Sequence, residues 1–131
     1  MIDLKKELNE RFYNSLEKCN FLNDVNELVN NEGLVNIDLS DFIKLSDGEI
    51  TGVISDTIDN ANDELNINTI SDKKPNNCII NISYNTNLKL TDVDIIIHKI
   101  KNKYPDISII FGASITSENK YKIQALFVYK I

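Results

Sequence analysis

Glycine and histidine are both scarce in this 131-residue sequence, with four glycines (Gly33, Gly48, Gly52 and Gly112) and a single histidine, His98. The glycines are dispersed, so no glycine-rich loop can cradle a triphosphate on backbone N–H groups. A histidine-based triad would rest wholly on His98, and no nucleophile stands near it. Its place opposite the apolar stripe of its own helix predicts a solvent-exposed ring. Cysteine is confined to Cys19 and Cys78. Their separation has no metal-ligand spacing, so two buried, reduced thiols in a cytoplasmic protein are expected. No apolar run approaches the length of a membrane span, so no membrane insertion is expected. The opening "MIDLKKELNE" is charged and helix-like, with no secretory signal visible in it. A basic surplus is also missing. The pI is about 4.7, and the basic residues lack the clustering and aromatic interleaving of nucleic-acid surfaces, which excludes that class of partner.

What is present is ordinary for a globular domain: 42% hydrophobic and 26% charged residues. A chain of this length forms one domain that buries roughly two thirds of its unfolded surface. Charge is uneven along it. Residues 1–72 carry 5 basic and 16 acidic side chains, whereas residues 73–131 carry 9 basic and 4 acidic. The split fits either differently solvated faces or a molecule with acidic and basic ends suited to head-to-tail association.

Residues 3–30 read as one long helix. Leu4, Leu8, Phe12, Leu16, Cys19, Leu22, Val25 and Val29 recur every three or four positions, forming one apolar stripe that Gly33 closes. Asp47-Gly48 marks a turn before a strand at 49–55. Residues 56–65, "DTIDNANDEL", have the spacing of a short amphipathic helix capped by Asp56, and 66–77 form a polar loop. "CIINISY" (78–84) reads as a central strand. A helix follows from Asp92 to Lys103 with Thr91 as its cap, burying Val93, Ile96, Ile97 and Ile100 and stopped by Pro105. "ISIIFGA" (107–113) reads as a buried strand. "TSENK" (116–120) reads as a hairpin turn leading to "YKIQALFVY" (121–129), a strand apolar on both faces and therefore central. The expected class is α/β, an α+β layered sandwich in which a long N-terminal helix precedes a small mixed sheet of about four strands with two further helices.

The segment "NEGLVNIDLSDF" (31–42) does not fit this inventory, because a half-buried strand has no need of Asn36, Asp38 and Asp41 at such close intervals. Spacing alone leaves two roles open. The carboxylates could cap a helix starting near Asp41, or they could act on a ligand. Two carboxylates without further oxygen donors are not a calcium site.

"GLVNIDLSDF" closely resembles the synergy loop of FtsZ, the bacterial tubulin homologue, whose pattern is G-L-[IV]-N-[VIL]-D-F-[AS]-D-[VI]. "CIINIS", "NLKLTDVDIII", "ISIIFGASI" and "YKIQALFV" are similar, in order, to that family's later strand and helix segments, so the resemblance runs over about residues 22–129. It implies a tubulin-like C-terminal domain of chorismate-mutase-like architecture at 33–131, with 1–32 corresponding to the family's long central helix. In FtsZ filaments the loop's acids reach the nucleotide of the neighbouring subunit. Residue by residue, the resemblance implies a catalytic contribution in trans from Asp38 and Asp41. It also implies a partner interface involving Asn36, Gly33 and Phe42, the last two shaping the loop. The family's nucleotide-binding half, with its G-G-G-T-G loop, has no counterpart here, and "ISYNTN" replaces its glycine-containing turn. No cofactor is therefore expected to bind alone, and GTP would be met only through a partner.

The resulting expectation is a protein-interaction module in prokaryotic cell division or filament assembly. It would not be an enzyme on its own, and would present its acids to a tubulin-like GTPase or assemble with itself. A split or degenerate half-protein would read the same way. A different class remains open: an oligomeric small-molecule-binding or enzymatic α/β domain with a site between subunits. Lys99 and Lys103 are the basic candidates for such a site, and both also fit a solvated helix face.

Overall fold

The computed structural model describes residues 2–30 and 33–131. Three short helices open the chain: α1 (Leu4–Glu7), α2 (Glu10–Lys18) and α3 (Leu22–Asn30), followed by α4 (Leu39–Leu45). The remaining elements are β1 (Glu49–Ile58), β2 (Asn68–Thr69), β3 (Asn77–Tyr84), α5 (Leu90–Lys103), β4 (Ser108–Ile115) and β5 (Tyr121–Tyr129). The five strands form one sheet in the order β2-β1-β5-β3-β4. β3 and β4 run parallel on either side of the α5 connection, and every other pairing is antiparallel.

Period-two alternation along the central strands sorts side chains onto two faces. Ile123, Ala125 and Phe127 of β5, with Cys78, Ile80 and Ile82 of β3, pack against Val93, Ile96 and Ile100 of α5. On the opposite face Leu126, Val128 and Ile79 pack against Leu4, Leu8, Phe12, Leu16, Phe21, Val25, Leu28, Phe42 and Leu45 of the N-terminal helices and α4. β1 joins this pattern through an irregularity between Ile50 and Gly52, so that Ile50 lies opposite Val128 and Val53 opposite Leu126. Without the extra residue Ile50 and Val53 would point to opposite faces, and one apolar side chain would leave the helical layer.

The sequence expectation of one helix over 3–30 is corrected. Asn9 caps α2 by accepting the Arg11 N–H at 3.0 Å, which breaks the chain after Leu8. A second break follows Lys18, where Asn20 adopts φ 57. There Phe21 N–H donates to Leu16 O at 2.9 Å and Asn20 N–H to Glu17 O at 3.2 Å, the paired bonds of a Schellman motif. The break moves the stripe by one residue, burying Phe21 while Leu22 is only half-buried.

Three further expectations change. Residues 56–58 extend β1, because pairing with β5 continues to Ile58↔Tyr121. Asp56 is therefore a strand residue and not a cap, and the short amphipathic helix lies instead at 39–45. Residues 116–120 do not close a hairpin. β5 crosses past β3 to lie between β1 and β3, leaving β4 at the sheet edge with Ile110 and Phe111 exposed. α5 begins at Leu90, with Lys89 and not Thr91 at the cap position. Among the described residues no helix is long and apolar enough to cross a membrane.

Candidate functional site

Residues 33–38 run from the end of the helical layer to α4 and lie against the edge of β4. Leu34 N–H and Val35 N–H both donate to Ala113 O, at 2.8 and 3.1 Å, and Ala113 N–H returns a bond to Val35 O at 2.9 Å. The loop closes on itself where Gly33 N–H donates to Asn36 Oδ1 at 2.5 Å. Two glycines make this approach possible by leaving space. A Cβ at Gly33 would lie 2.6 Å from Ala113 O, and one at Gly112 would lie 2.7 Å from Asn81 Oδ1 and 2.9 Å from Val35 O. Below the loop, Asn81 donates to Ser83 Oγ and Ser114 Oγ at 3.1 and 3.0 Å, so the polar groups it covers are paired.

Ile37 and Phe42 anchor the two ends of the acidic segment in the core, with Phe42 fully buried. Phe42 therefore holds the loop from beneath, and the expectation that it contacts a partner is corrected. Asp38 occupies the N-cap position of α4. Its own N–H donates to Asp41 Oδ2 at 2.9 Å, the N3-to-N-cap bond of a capping box. Asp41 thus has the capping role that spacing left open. The Asp38 carboxylate accepts a hydrogen bond from Ser40 Oγ at 3.2 Å, and Asp38 is exposed to solvent, as is Asn36. Among the described residues neither acid takes part in an ion pair.

The loop is thus an exposed, hydrogen-bonded surface carrying carboxylates without an ion-pair partner among the described residues, not a cavity. The crevice between it and Asn81 and Ser114 measures about 10 Å³, room for about one water. Among the described residues no cluster of acidic, histidine and cysteine side chains could hold a metal ion. His98 lies elsewhere, exposed on α5. Lys99 is not part of a solvated face: its ammonium reaches the carbonyls of Ala61 and Asp63, and desolvation holds its pKa below the ordinary value against the opposing pull of Asp63. Cys78 is buried and Cys19 half-buried, both unpaired. Sequence reasoning missed Ala113 and Gly112 as parts of the loop's seat, because only the fold brings them beneath it.

No protein-family model matches the sequence, and no curated protein matches it. Solved structures do match. One is an empty FtsZ dimer from M. jannaschii, with TM-score 0.60, 16% identity, and coverage of 93% of this chain and 40% of that one. Another is a point mutant of FtsZ from the same organism, with TM-score 0.58, 18% identity and coverage of 93% and 42%. The chain has an α/β fold similar to that of FtsZ and spans about 40% of the length of those FtsZ chains.

Proposed function

We propose that this FtsZ-like domain is a protein-interaction module of prokaryotic cell division or filament assembly, presenting the loop at 33–41 to the nucleotide face of a tubulin-like GTPase. The observation that carries the reading is the Asp38 carboxylate, exposed and without a cationic partner among the described residues on a loop tied to β4 at Ala113. A free carboxylate near a phosphoanhydride cannot bind phosphate directly, since like charges repel. It can orient the attacking water or hold a cation beside the phosphates, and such positioning is most of what phosphoryl transfer requires of a protein. In this reading Asp38 acts on the water, Asp41 holds Asp38 in place, and Asn36 and Gly33 set the loop's shape. GTP is met only in the partner's site.

The test is sedimentation of the cognate FtsZ with GTP turnover followed in parallel, with and without this protein. The expected outcome is a change in polymer mass and turnover, with Asp38→Asn losing the effect on turnover. Unchanged polymer and turnover on adding the wild-type protein would remove the proposal.

A further inference from the structure

The sheet ends in an edge that is left open. β4 pairs along its inner side with β3 over Ser108–Ile115. On its outer side Ala113 exchanges backbone bonds with Val35. In an extended strand the N–H and C=O of one residue point to the same side, and successive residues alternate. Since Ala113 faces outward, so do Phe111 and Ile109, and among the described residues no backbone group bonds either of them from outside. Among the described residues the loop makes no further backbone bond to β4 after Val35; it turns inward at Ile37, whose side chain lies over Gly112, and enters α4. Proteins commonly blunt such edges with charge or proline, but none occurs between Ile107 and Ser117. Ile110, Phe111 and Ile115 are instead 36%, 38% and 41% exposed.

We propose that this edge is a self-association surface, on which β4 of a second copy pairs antiparallel about a twofold axis passing at Ile110. The geometry selects the register. Outward residues must face outward residues, and on the stretch of β4 before Ala113 the outward residues are Ile109 and Phe111. Placing Ile109 opposite Phe111 of the second copy, and Phe111 opposite its Ile109, engages the outer groups of both residues in four backbone hydrogen bonds. Centring the axis on Phe111 would set the strand residue Ile109 against Ala113, whose outer side Val35 already occupies, whereas an axis at Ile110 brings there only Ile107, which precedes β4. In the selected register Ile110 faces Ile110 of the second copy on the side of the N-terminal helices, and Phe111 covers Ile109 on the side of α5. A second copy is the fitting occupant because an uncharged apolar strand complements itself without like-charge repulsion, and a twofold contact closes at two copies. The two sheets would join into one of ten strands.

Sedimentation of the protein alone, without any GTPase, tests this independently of the proposed function. The wild type is expected to show a reversible monomer–dimer equilibrium. Ile110→Lys and Ile110→Glu each set like charges against each other, and each should raise the dissociation constant by at least about tenfold. An equimolar mixture of the two variants should dimerise again, because residue 110 meets residue 110. A second readout needs no substitution: amide exchange at Ile109 and Phe111 should slow as concentration rises. A wild type that stays monomeric, charged variants that still dimerise, or a mixture that stays monomeric would each overturn the proposal. So would capture of another protein's strand by a chain that does not pair with itself.

Discussion

Gly112→Ala tests whether the acidic loop is held by its seat on β4. No glycine here has positive φ, so the demand for glycine at 112 is one of space and not of backbone conformation. The added methyl would stand 2.7 Å from Asn81 Oδ1, 2.9 Å from Ile37 Cγ1 and 2.9 Å from Val35 O. Asn81 could turn aside only by giving up its bonds to Ser83 and Ser114, and the Val35 carbonyl can retreat only if the loop lifts. Lifting endangers three backbone hydrogen bonds, each contributing about 0.5–1.5 kcal/mol net, while overpacking alone costs about 1–3 kcal/mol. Partial relaxation makes these alternatives and not a sum, so a loss of about 2–3 kcal/mol is expected. With an unfolding entropy of about 2.1 cal/mol/K per residue over this chain, that corresponds to a fall in Tm of about 7–11 °C. Thermal unfolding followed by circular dichroism measures the fall, and hydrogen exchange locates it, since the Ala113 amide should lose protection before the central strand β5. A variant melting within about 1 °C of wild type with Ala113 still protected would refute the account.

The remaining expectations concern the helix ends and acid stability. Asp41→Ala removes the acceptor of the Asp38 N–H and should cost about 0.5–1.5 kcal/mol, read from urea unfolding. Asp38→Asn keeps a good N-cap residue and should stay within about 0.5 kcal/mol of wild type. Asn20→Ala places a Cβ-bearing residue without a polar side chain at φ 57 and should destabilise by about 1 kcal/mol, whereas Asn20→Gly should be neutral or stabilising. Equal or greater stability of the alanine variant would mean that the break after Lys18 is not needed. Glu49 has its pKa lowered from 4.5, first by the Ser71 hydroxyl, with desolvation opposing and the charge of Lys73 adding to the lowering. A depressed folded-state pKa contributes stability above the unfolded value and loses it as pH falls through the folded one. The advantage of wild type over Glu49→Gln should therefore be present above pH 4.5 and fade below it in urea midpoints taken across the acid range.

Much of the fold was legible because period and face go together. The alternation of Ile123, Ala125 and Phe127 against Gln124, Leu126 and Val128 needs cover on both sides, and β5 lies between β1 and β3 with a helical layer on each face. The apolar stripe of residues 4–29 was equally visible, yet its spacing carries through both breaks. The evidence for the breaks lies in polar residues that periodicity ignores, Asn9 as a cap and Asn20 in the left-handed conformation. "ISIIF" reads identically as a buried or an edge strand, because what covers β4 depends on where β5 inserts. That insertion is decided by pairing across the whole chain, and a short window cannot hold it.

The acidic motif was legible in a different way. Its Asp-x-x-Asp spacing is that of an N-cap and its N3 partner, and the resemblance to the FtsZ loop pointed to chemistry. The two readings looked like rivals only while the carboxylates were treated as a pair. In the structure they separate: Asp41 spends an oxygen on the Asp38 N–H, and Asp38 keeps its carboxylate exposed to solvent beside the Ser40 hydroxyl. A helix start holds its cap residue at a fixed position, so in the proposed function capping by one acid would present the other. Substitutions at the two sites should accordingly diverge. At Asp41, loss of function should follow loss of local stability and return in part with Asn, whereas at Asp38 loss of the charge alone should abolish the effect on a partner's nucleotide while the fold is kept.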